Sequence, residues 1–195
     1  MRKILIVFAH PALEKSRVNK KLIEKVEMIN GVTFHDLYEL YPEMDIDVKA
    51  EQKLLKEQDA IVFQYPFFLF GMPALLKEWM DLVLVHGWAF GRDGNALKGK
   101  LVCHIITTGG SKASYAKEGY NRFTMRELLA PLEQTARLCG MRYLPPYVLH
   151  GTNAMKPESI NEYAKHYHAM LRLLADETFD PEALKGMDYF NDQFG

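Results

Sequence analysis

The chain has 195 residues, 48% of them hydrophobic, and a formal net charge of -1. These values suit one domain with a sizeable core, and the balanced charge disfavours a nucleic-acid-binding surface, which is usually strongly basic. No apolar run reaches the length of a membrane span or carries a signal-peptide cleavage site, and the two cysteines lack metal-ligand spacing, so we expect a cytoplasmic protein without a metal site.

Apolar, strand-like runs alternate along the chain with amphipathic helical patterns. In chain order we predict a strand at 3–9, a helix at 17–29, a strand at 32–37, a helix at 48–57, a strand at 60–64, a helix from Pro73, a strand at 100–107, a helix within 123–138, a strand at 142–149 and a helix at 157–175. Pro145 and Pro146 interrupt the last strand, which places it at a sheet edge or at a bulge.

Five β/α repeats with apolar strands indicate a parallel sheet that helices cover on both faces. The chain length and the repeat count favour an α/β, flavodoxin-like three-layer sandwich whose five-stranded parallel sheet has the order 2-1-3-4-5. We assign residues 1–175 to this domain and residues 176–195 to a C-terminal tail. The tail is either loosely ordered or docked on the core or on a partner chain.

An aromatic loop occupies residues 64–73, between the third strand and the third helix, and contains Tyr65, Phe67, Phe68 and Phe70. Aromatic side chains are costly to expose in a loop. Ligands of open α/β sheets bind beyond the carboxyl ends of the strands, where this loop lies. The loop therefore suits a flat ligand, and packing against a neighbouring helix or subunit is the alternative.

Two further loops should reach the same edge of the sheet. Residues 10–19 carry His10, Ser16, Arg17 and Asn19 into a helix N-terminus, which attracts phosphate, although simple capping by Ser16 is the alternative. Residues 107–111 contain Gly109 and Gly110, whose backbone N–H groups could bind an anion. A simple glycine turn is the alternative. Together the three loops predict a mononucleotide with a flat ring system, and FMN fits best.

Ordered motifs over about residues 3–175 resemble the NAD(P)H quinone oxidoreductase family of flavodoxin-like flavoproteins. Within it, the chain is most similar to the ancillary proteins of the glutathione-gated potassium efflux system and to modulators of drug activity. The motifs are Ala9-His10-Pro11 with Ser16 and Asn19, Asp36-Leu37-Tyr38, Ala50-Glu51-Gln52, Gln64-Tyr65-Pro66 through Gly71-Met72-Pro73, Leu76-Lys77-Glu78-Trp79-Met80-Asp81, His86-Gly87-Trp88-Ala89-Phe90-Gly91, Thr107-Thr108-Gly109-Gly110 and Leu144-Pro145-Pro146.

The resemblance implies that residues 1–175 form a flavin-binding domain. The residues it assigns to the phosphate and ribityl chain are His10, Ser16, Val18 and Asn19. Those it assigns to the isoalloxazine ring are Pro66, Phe67, Phe68, Leu69 and Phe70, and those whose N–H groups would face the pyrimidine end are Thr108, Gly109 and Gly110.

The resemblance also implies catalytic residues near the flavin. Tyr115 lies where the family places a tyrosine, and Asn121 lies where it usually has a histidine that steadies charge on the reduced flavin. An asparagine donates a hydrogen bond but carries no charge, so Tyr120 or Arg122 could take over. We therefore name Tyr115, Tyr120 and Asn121 as the catalytic candidates.

The implied activity is that of a flavin-dependent oxidoreductase with ping-pong kinetics. Hydride would pass from NAD(P)H through FMN, with FAD as the alternative cofactor, to a quinone-like acceptor. The resemblance further implies a homodimer formed through the third helix. Its apolar face consists of Leu76, Trp79, Met80 and Val83, and packing of these residues on their own sheet is the alternative. The alternative function is a regulatory subunit docked on a potassium efflux antiporter, which would hold this cytoplasmic protein at the inner membrane.

Overall fold

A computed structural model describes residues 1–194 as a twisted parallel sheet with helices on both faces. The strands are β1 Ile4–Phe8, β2 Val32–Asp36, β3 Ala60–Pro66, β4 Leu101–Thr107, β5 Arg142–Tyr143 and β6 Tyr147–Leu149. The strand order is β2-β1-β3-β4-β5, β6 also pairs with β4, and every pairing is parallel. The predicted flavodoxin-like fold and its strand order are confirmed.

The predicted fifth strand is divided into two pieces by its prolines. Arg142 and Tyr143 pair with the start of β4, whereas Tyr147–Leu149 pair with its end. Pro145 and Pro146 have no N–H groups to continue the ladder between them. Because β6 ends opposite Thr107, the residues that follow it reach the carboxyl edge of the sheet beside the loop after β4.

The helices form two layers, each packed on its own apolar cluster. They are α1 Arg17–Ile23, α2 Leu37–Leu40, α3 Val48–Lys56, α4 Ala74–Val83, α5 Met125–Leu128, α6 Ala130–Leu138 and α7 Pro157–Ala175. The clusters place α1 and α7 on one face of the sheet and α2 to α6 on the other. Among residues 1–194, no helix is long and apolar enough to cross a membrane.

Two predicted helices are shorter than expected. The helix predicted at 17–29 ends at Ile23, because Lys25 has a φ of 63° and starts a separate short turn at Val26–Met28. The helix predicted within 123–138 is divided into α5 and α6. Pro131 stands in the first turn of α6, where its missing N–H costs nothing, whereas in the middle of one long helix it would break a hydrogen bond.

The C-terminal tail is docked on the core rather than loose. Phe190 is fully buried and its N–H donates to Pro146 O at 2.9 Å. The Asn191 side chain accepts a hydrogen bond from Val148 N at 2.8 Å and donates to Val148 O at 3.1 Å. The tail therefore satisfies the outer edge of β6, as a further strand would.

Helix α4 uses its apolar stripe within its own chain. The four residues expected to form a dimer face, Leu76, Trp79, Met80 and Val83, are all buried against the sheet. Packing within the chain, the alternative to a dimer face, accounts for these side chains, because a helix that covers a hydrophobic sheet buries its apolar stripe there; Met80 also lines a groove between α4 and α6. The apolar side chains left exposed in this region are Leu82 and Val85.

Candidate functional site

A cleft of about 530 Å³ lies at the carboxyl edge of the sheet. Loops that follow β1, β3, β4 and β6 line it, as the strand order requires. The lining residues are His10, Ala12, Lys15, Ser16, Arg17, Val18, Asn19, Pro66, Phe67, Phe68, Thr107, Gly109, Thr152 and Asn153. The three loops singled out from the sequence thus meet in one place.

Residues 10–19, the loop after β1 and the start of α1, form the first wall of the cleft, which is cationic and rich in hydrogen-bonding groups. Ser16 caps α1, accepting from Asn19 N at 3.1 Å, and Asn19 Nδ2 also donates to Thr107 Oγ1 at 3.0 Å. Asn19 is buried and its Oδ1 has no protein partner. Arg17 Nη2 donates to the carbonyls of Asn153 and Met155, both at 3.3 Å, which draws the loop after β6 against this wall.

His10 contributes a neutral ring to the same wall. Burial lowers the pKa of His10 below its usual value, so the imidazole is uncharged at neutral pH. Its Nδ1 accepts a hydrogen bond from Ala12 N at 3.1 Å. The positive charge of the cleft therefore comes from Lys15 and Arg17 rather than from the histidine.

The aromatic loop divides into a part inside the cleft and a part outside its lining. Strand β3 continues through Pro66, and Phe67 N donates to Thr107 O at 2.8 Å. Phe67 is buried, whereas Phe68 is 52% exposed and its ring lies edge-on to His10 at 6.0 Å. These rings, with Pro66, line the cleft as expected.

Leu69 and Phe70 are the predicted flavin residues of this loop that the structure does not bring into the cleft lining. They form the tip of a tight turn closed by the bond from Gly71 N to Phe68 O, at 3.0 Å. Their φ values are 47° and 65°, which is the left-handed region and is strained for side chains other than glycine. Leu69 is 96% exposed.

The glycines after β4 permit close packing of side chains. A Cβ on Gly109 would lie 2.6 Å from Asn153 Nδ2, and one on Gly110 would lie 2.9 Å from the Tyr115 ring. Of the three predicted pyrimidine-side residues, Gly109 lines the cleft, whereas Thr108 and Gly110 are not part of its lining. The lack of a side chain at positions 109 and 110 thus makes room for Asn153 and Tyr115, as well as for an approaching ligand.

Thr152 and Asn153 line the cleft but were not predicted from the sequence. Thr152 N donates to Thr108 O at 3.0 Å and Gly151 N donates to Gly110 O at 2.8 Å, so the loop after β6 holds the loop after β4. A signal was available, since these residues follow a strand just as the three recognised loops do. The predicted end of that strand, at residue 149, coincides with the end of β6.

The catalytic candidates lie outside the cleft lining. Tyr115 is buried behind Gly110 and its hydroxyl shares a 2.7 Å hydrogen bond with Thr108 Oγ1. Tyr120 is 93% exposed, and Asn121 N donates to Ser114 O at 3.0 Å on the same connecting segment. The catalytic roles of Tyr115, Tyr120 and Asn121 and the flavin contact of Tyr115 therefore stay predictions.

Other titratable clusters offer no rival site within residues 1–194. His104 is buried in β4, shares a 3.1 Å hydrogen bond with Tyr65 OH, and has its pKa lowered to about 3 by burial. It is therefore a buried core histidine with a hydrogen-bond partner. Among these residues no group of three or more His, Cys, Asp or Glu side chains is placed to hold a metal ion.

The cleft fits a phosphorylated molecule with a flat ring. Lys15 and Arg17 supply positive charge, the unpartnered Oδ1 of Asn19 can accept a hydrogen bond, and Phe68 offers an aromatic surface. The described lining contains no carboxylate or thiol. Its side chains are therefore suited to binding and orienting a group that brings its own chemistry.

Several known proteins are similar to this chain in sequence and in architecture. The chain is 42% identical over 168 residues to the glutathione-regulated potassium-efflux system ancillary protein KefF of Enterobacter sp. (strain 638), covering 86% of this chain and 94% of that protein. It is 39% identical to general stress protein 14 of Treponema denticola, solved in complex with FMN, with a TM-score of 0.84 and coverage of 88% and 99%. An NADPH-quinone reductase from P. pentosaceus is 31% identical, with a TM-score of 0.79 and coverage of 86% and 96%.

The family model described as having a flavodoxin-like fold (Flavodoxin_2) matches residues 2–171. This match spans all six strands and the four loops that line the cleft. The resemblance inferred from the ordered motifs is confirmed, and the chain belongs to this flavodoxin-like family.

Proposed function

We propose that the protein is a flavin-dependent NAD(P)H oxidoreductase that binds FMN in the cleft and reduces quinone-like acceptors by a ping-pong mechanism. The observation that carries the proposal is the convergence of cationic and aromatic side chains from separate loops on one cleft. The FMN complex of the Treponema protein and the similarity to an NADPH-quinone reductase support it. FAD is the alternative cofactor.

The residues of the first wall would hold the phosphate and the ribityl chain. Lys15 and Arg17 would balance the phosphate charge, and charge-assisted hydrogen bonds of this kind are stronger than neutral ones. Ser16 and Asn19 hold each other and Thr107 in place, so their polar atoms are pre-organised for a ligand. Pre-organisation lowers the entropic cost of binding.

The aromatic part of the cleft would hold the ring system. Phe67 is fixed by its backbone hydrogen bond to Thr107, whereas the half-exposed Phe68 can cover one side of a flat ring. Bound FMN would supply the redox chemistry, accepting hydride from NAD(P)H and passing it to the acceptor. Because one cleft would receive both substrates in turn, the nucleotide product must leave before the quinone enters.

Separate anaerobic half-reactions test this proposal. Purified protein loaded with FMN is mixed with NADH or NADPH without a quinone, and we expect the flavin absorbance to bleach. Adding a quinone should then restore the absorbance. Bound flavin that neither nucleotide bleaches would contradict the oxidoreductase proposal while leaving FMN binding intact.

A second candidate function is that of an ancillary subunit of a potassium efflux antiporter, which would place the protein at the inner membrane through a partner. The 42% identity to KefF over 86% of this chain favours it. The test is affinity purification of the native protein from detergent-solubilised membranes. An integral-membrane transporter should co-purify, and its absence from repeated purifications would reject this function.

A further inference from the structure

Three aromatic rings next to the glycine loop after β4 follow one another in tilted and edge-on contact, and we call this series of rings the Tyr115 stack. The ring of His150 lies 5.4 Å from that of Tyr115 on one side and 6.0 Å from that of Tyr189 on the other. Lys112 Nζ lies over the Tyr189 ring at 5.4 Å. Tyr115 in turn lies against Gly110 and shares a hydrogen bond with Thr108. The stack therefore runs from the C-terminal tail to the loop after β4.

His150 has no hydrogen-bond partner in this stack. Both ring nitrogens are buried and neither makes a well-formed hydrogen bond, although the ring lies close enough to the Gly110 backbone to interact with it. Burial and the nearby charge of Lys112 lower the pKa of His150 to about 4, so the ring is neutral at pH 7. Burying unpaired polar atoms costs stability, and the site still places a flat ring between two tyrosines. His150 thus contacts Tyr115 and Tyr189 through its aromatic ring.

The outer end of the stack is firmly anchored. Tyr189 directly precedes Phe190, which is fully buried and bonded to Pro146, and Asn191, which pairs with the backbone of Val148. The family match ends at residue 171, so this anchor lies outside the matched region. The tail thus contacts the His150 ring from outside the matched residues.

We propose that His150 and Tyr189 are positioning residues for the FMN site, holding Tyr115 and, through it, the loop from Thr108 to Gly110 in its binding shape. The ligand in this inference rests on the proposed function. The backbone bonds from Gly151 to Gly110 and from Thr152 to Thr108 lie beside the stack and tie the same two loops together. Loss of the stack should therefore loosen Gly109, which lines the cleft.

The first test compares FMN affinity among folded variants. His150→Ala should weaken FMN binding about five- to tenfold, the loss expected for about one aromatic pair. His150→Phe should restore affinity, because it keeps the ring and loses only the unpaired nitrogens. Tyr189→Ala should weaken binding in the same direction and add little in the His150→Ala background, since both act through one stack.

His166→Ala is the matched control. His166 is stacked on Phe194 of the same tail, at 5.3 Å, but neither ring belongs to the Tyr115 stack. FMN affinity should stay unchanged in this variant. Unfolding midpoints identify variants that lose FMN affinity only because the whole protein is less stable. If His150→Ala does not fold, Tyr189→Ala provides the test.

Amide hydrogen exchange on the FMN-free protein provides a second readout. His150→Ala should speed exchange at Gly151 and Thr152, whose N–H groups tie the two loops. If wild type binds FMN and the stack variants bind it equally well, the positioning role is overturned, while the proposed FMN binding stands. If wild type binds no FMN, the proposed function is overturned and this inference with it.

Discussion

Phe68 and Phe70 are exposed to nearly the same extent, at 52% and 54%, but only Phe68 lines the cleft. An aspartate at position 68 would replace the aromatic surface with a negative charge beside the bound ligand. We expect Phe68→Asp to weaken FMN binding at least about tenfold, which corresponds to about 1.4 kcal/mol, and Phe70→Asp to have a much smaller effect. Fluorescence titration measures both, and the reverse order of effects would contradict the assignment of the cleft.

Arg17 should distinguish a phosphorylated ligand from an unphosphorylated one. It lines the cleft and carries a charge that suits a phosphate. Arg17→Ala should weaken binding of FMN about tenfold or more, whereas binding of riboflavin, which lacks the phosphate, should hardly change. Lys21→Ala on the same helix, where Lys21 pairs with Glu24 outside the cleft, is the control. An equal loss for both ligands would show that Arg17 only shapes the cleft.

Individual site residues were predictable where a loop position and a residue type agreed. Ser16 and Phe68 follow strands and carry the expected chemistry, and both line the cleft. Leu69 was not separable from Phe68, because the tight turn that carries it away depends on two left-handed residues that are not glycine. No local sequence pattern predicts such a turn.

At the scale of secondary-structure elements, Glu51 joins four segments through one buried carboxylate. It is 1% exposed, and its oxygens lie 2.8 Å from His35 Nε2, 2.5 Å from Tyr41 OH and 2.9 Å from Trp79 Nε1. Burial alone would raise the pKa of Glu51, but the hydrogen bonds from these partners together hold the pKa below its usual value.

Replacing Glu51 should destabilise the fold and change its response to acid. Glu51→Ala leaves buried donors unpaired and should cost about 3 kcal/mol of unfolding free energy, against about 1 kcal/mol for Gln52→Ala, which loses one bond to Val83 O. Because the folded-state pKa is lowered, Glu51 stabilises the protein above the usual glutamate pKa, and this contribution is lost as the pH falls through the folded value. In chemical denaturation at a series of pH values, Glu51→Gln should reduce the loss of unfolding free energy at acid pH. An unchanged loss would contradict this role of Glu51.

Elements were predictable where apolar runs were uninterrupted. β1 and β4 lie within their predicted ranges because continuous apolar runs are typical of buried parallel strands. The interruption of the last strand was also predictable, from Pro145 and Pro146, whereas the early end of α1 depended on the left-handed Lys25, whose conformation is set by the surrounding tertiary structure. The docking of the tail likewise depended on the Asn191 pairing, which has no periodic signal.

At the scale of the whole molecule, we propose that a second copy covers the outer face of α4 and α6. A groove of about 320 Å³ between these helices is lined by Met80, Leu84, Leu132 and Leu138, and Leu138 is 55% exposed. Leu82, on α4, adds a further exposed apolar side chain. Exposed apolar side chains around such a groove are typical of subunit contacts.

Light scattering coupled to size-exclusion chromatography tests this interface. Wild type should have the mass of a dimer, and the double variant Leu82→Glu, Leu138→Glu should shift toward the monomer, because paired copies would bury the new charges. Met28→Glu, at a 77% exposed position on the α1 and α7 side, should remain dimeric. A monomeric wild type would rule out the dimer.

The proposed function requires that the cleft at the carboxyl edge of the sheet bind FMN. Equilibrium titration of flavin-free protein with FMN, followed by the change in flavin fluorescence, measures this binding. We predict saturable binding of one FMN per chain that weakens in Phe68→Asp. A wild-type protein whose titration shows no saturable change with FMN or with FAD would contradict the account.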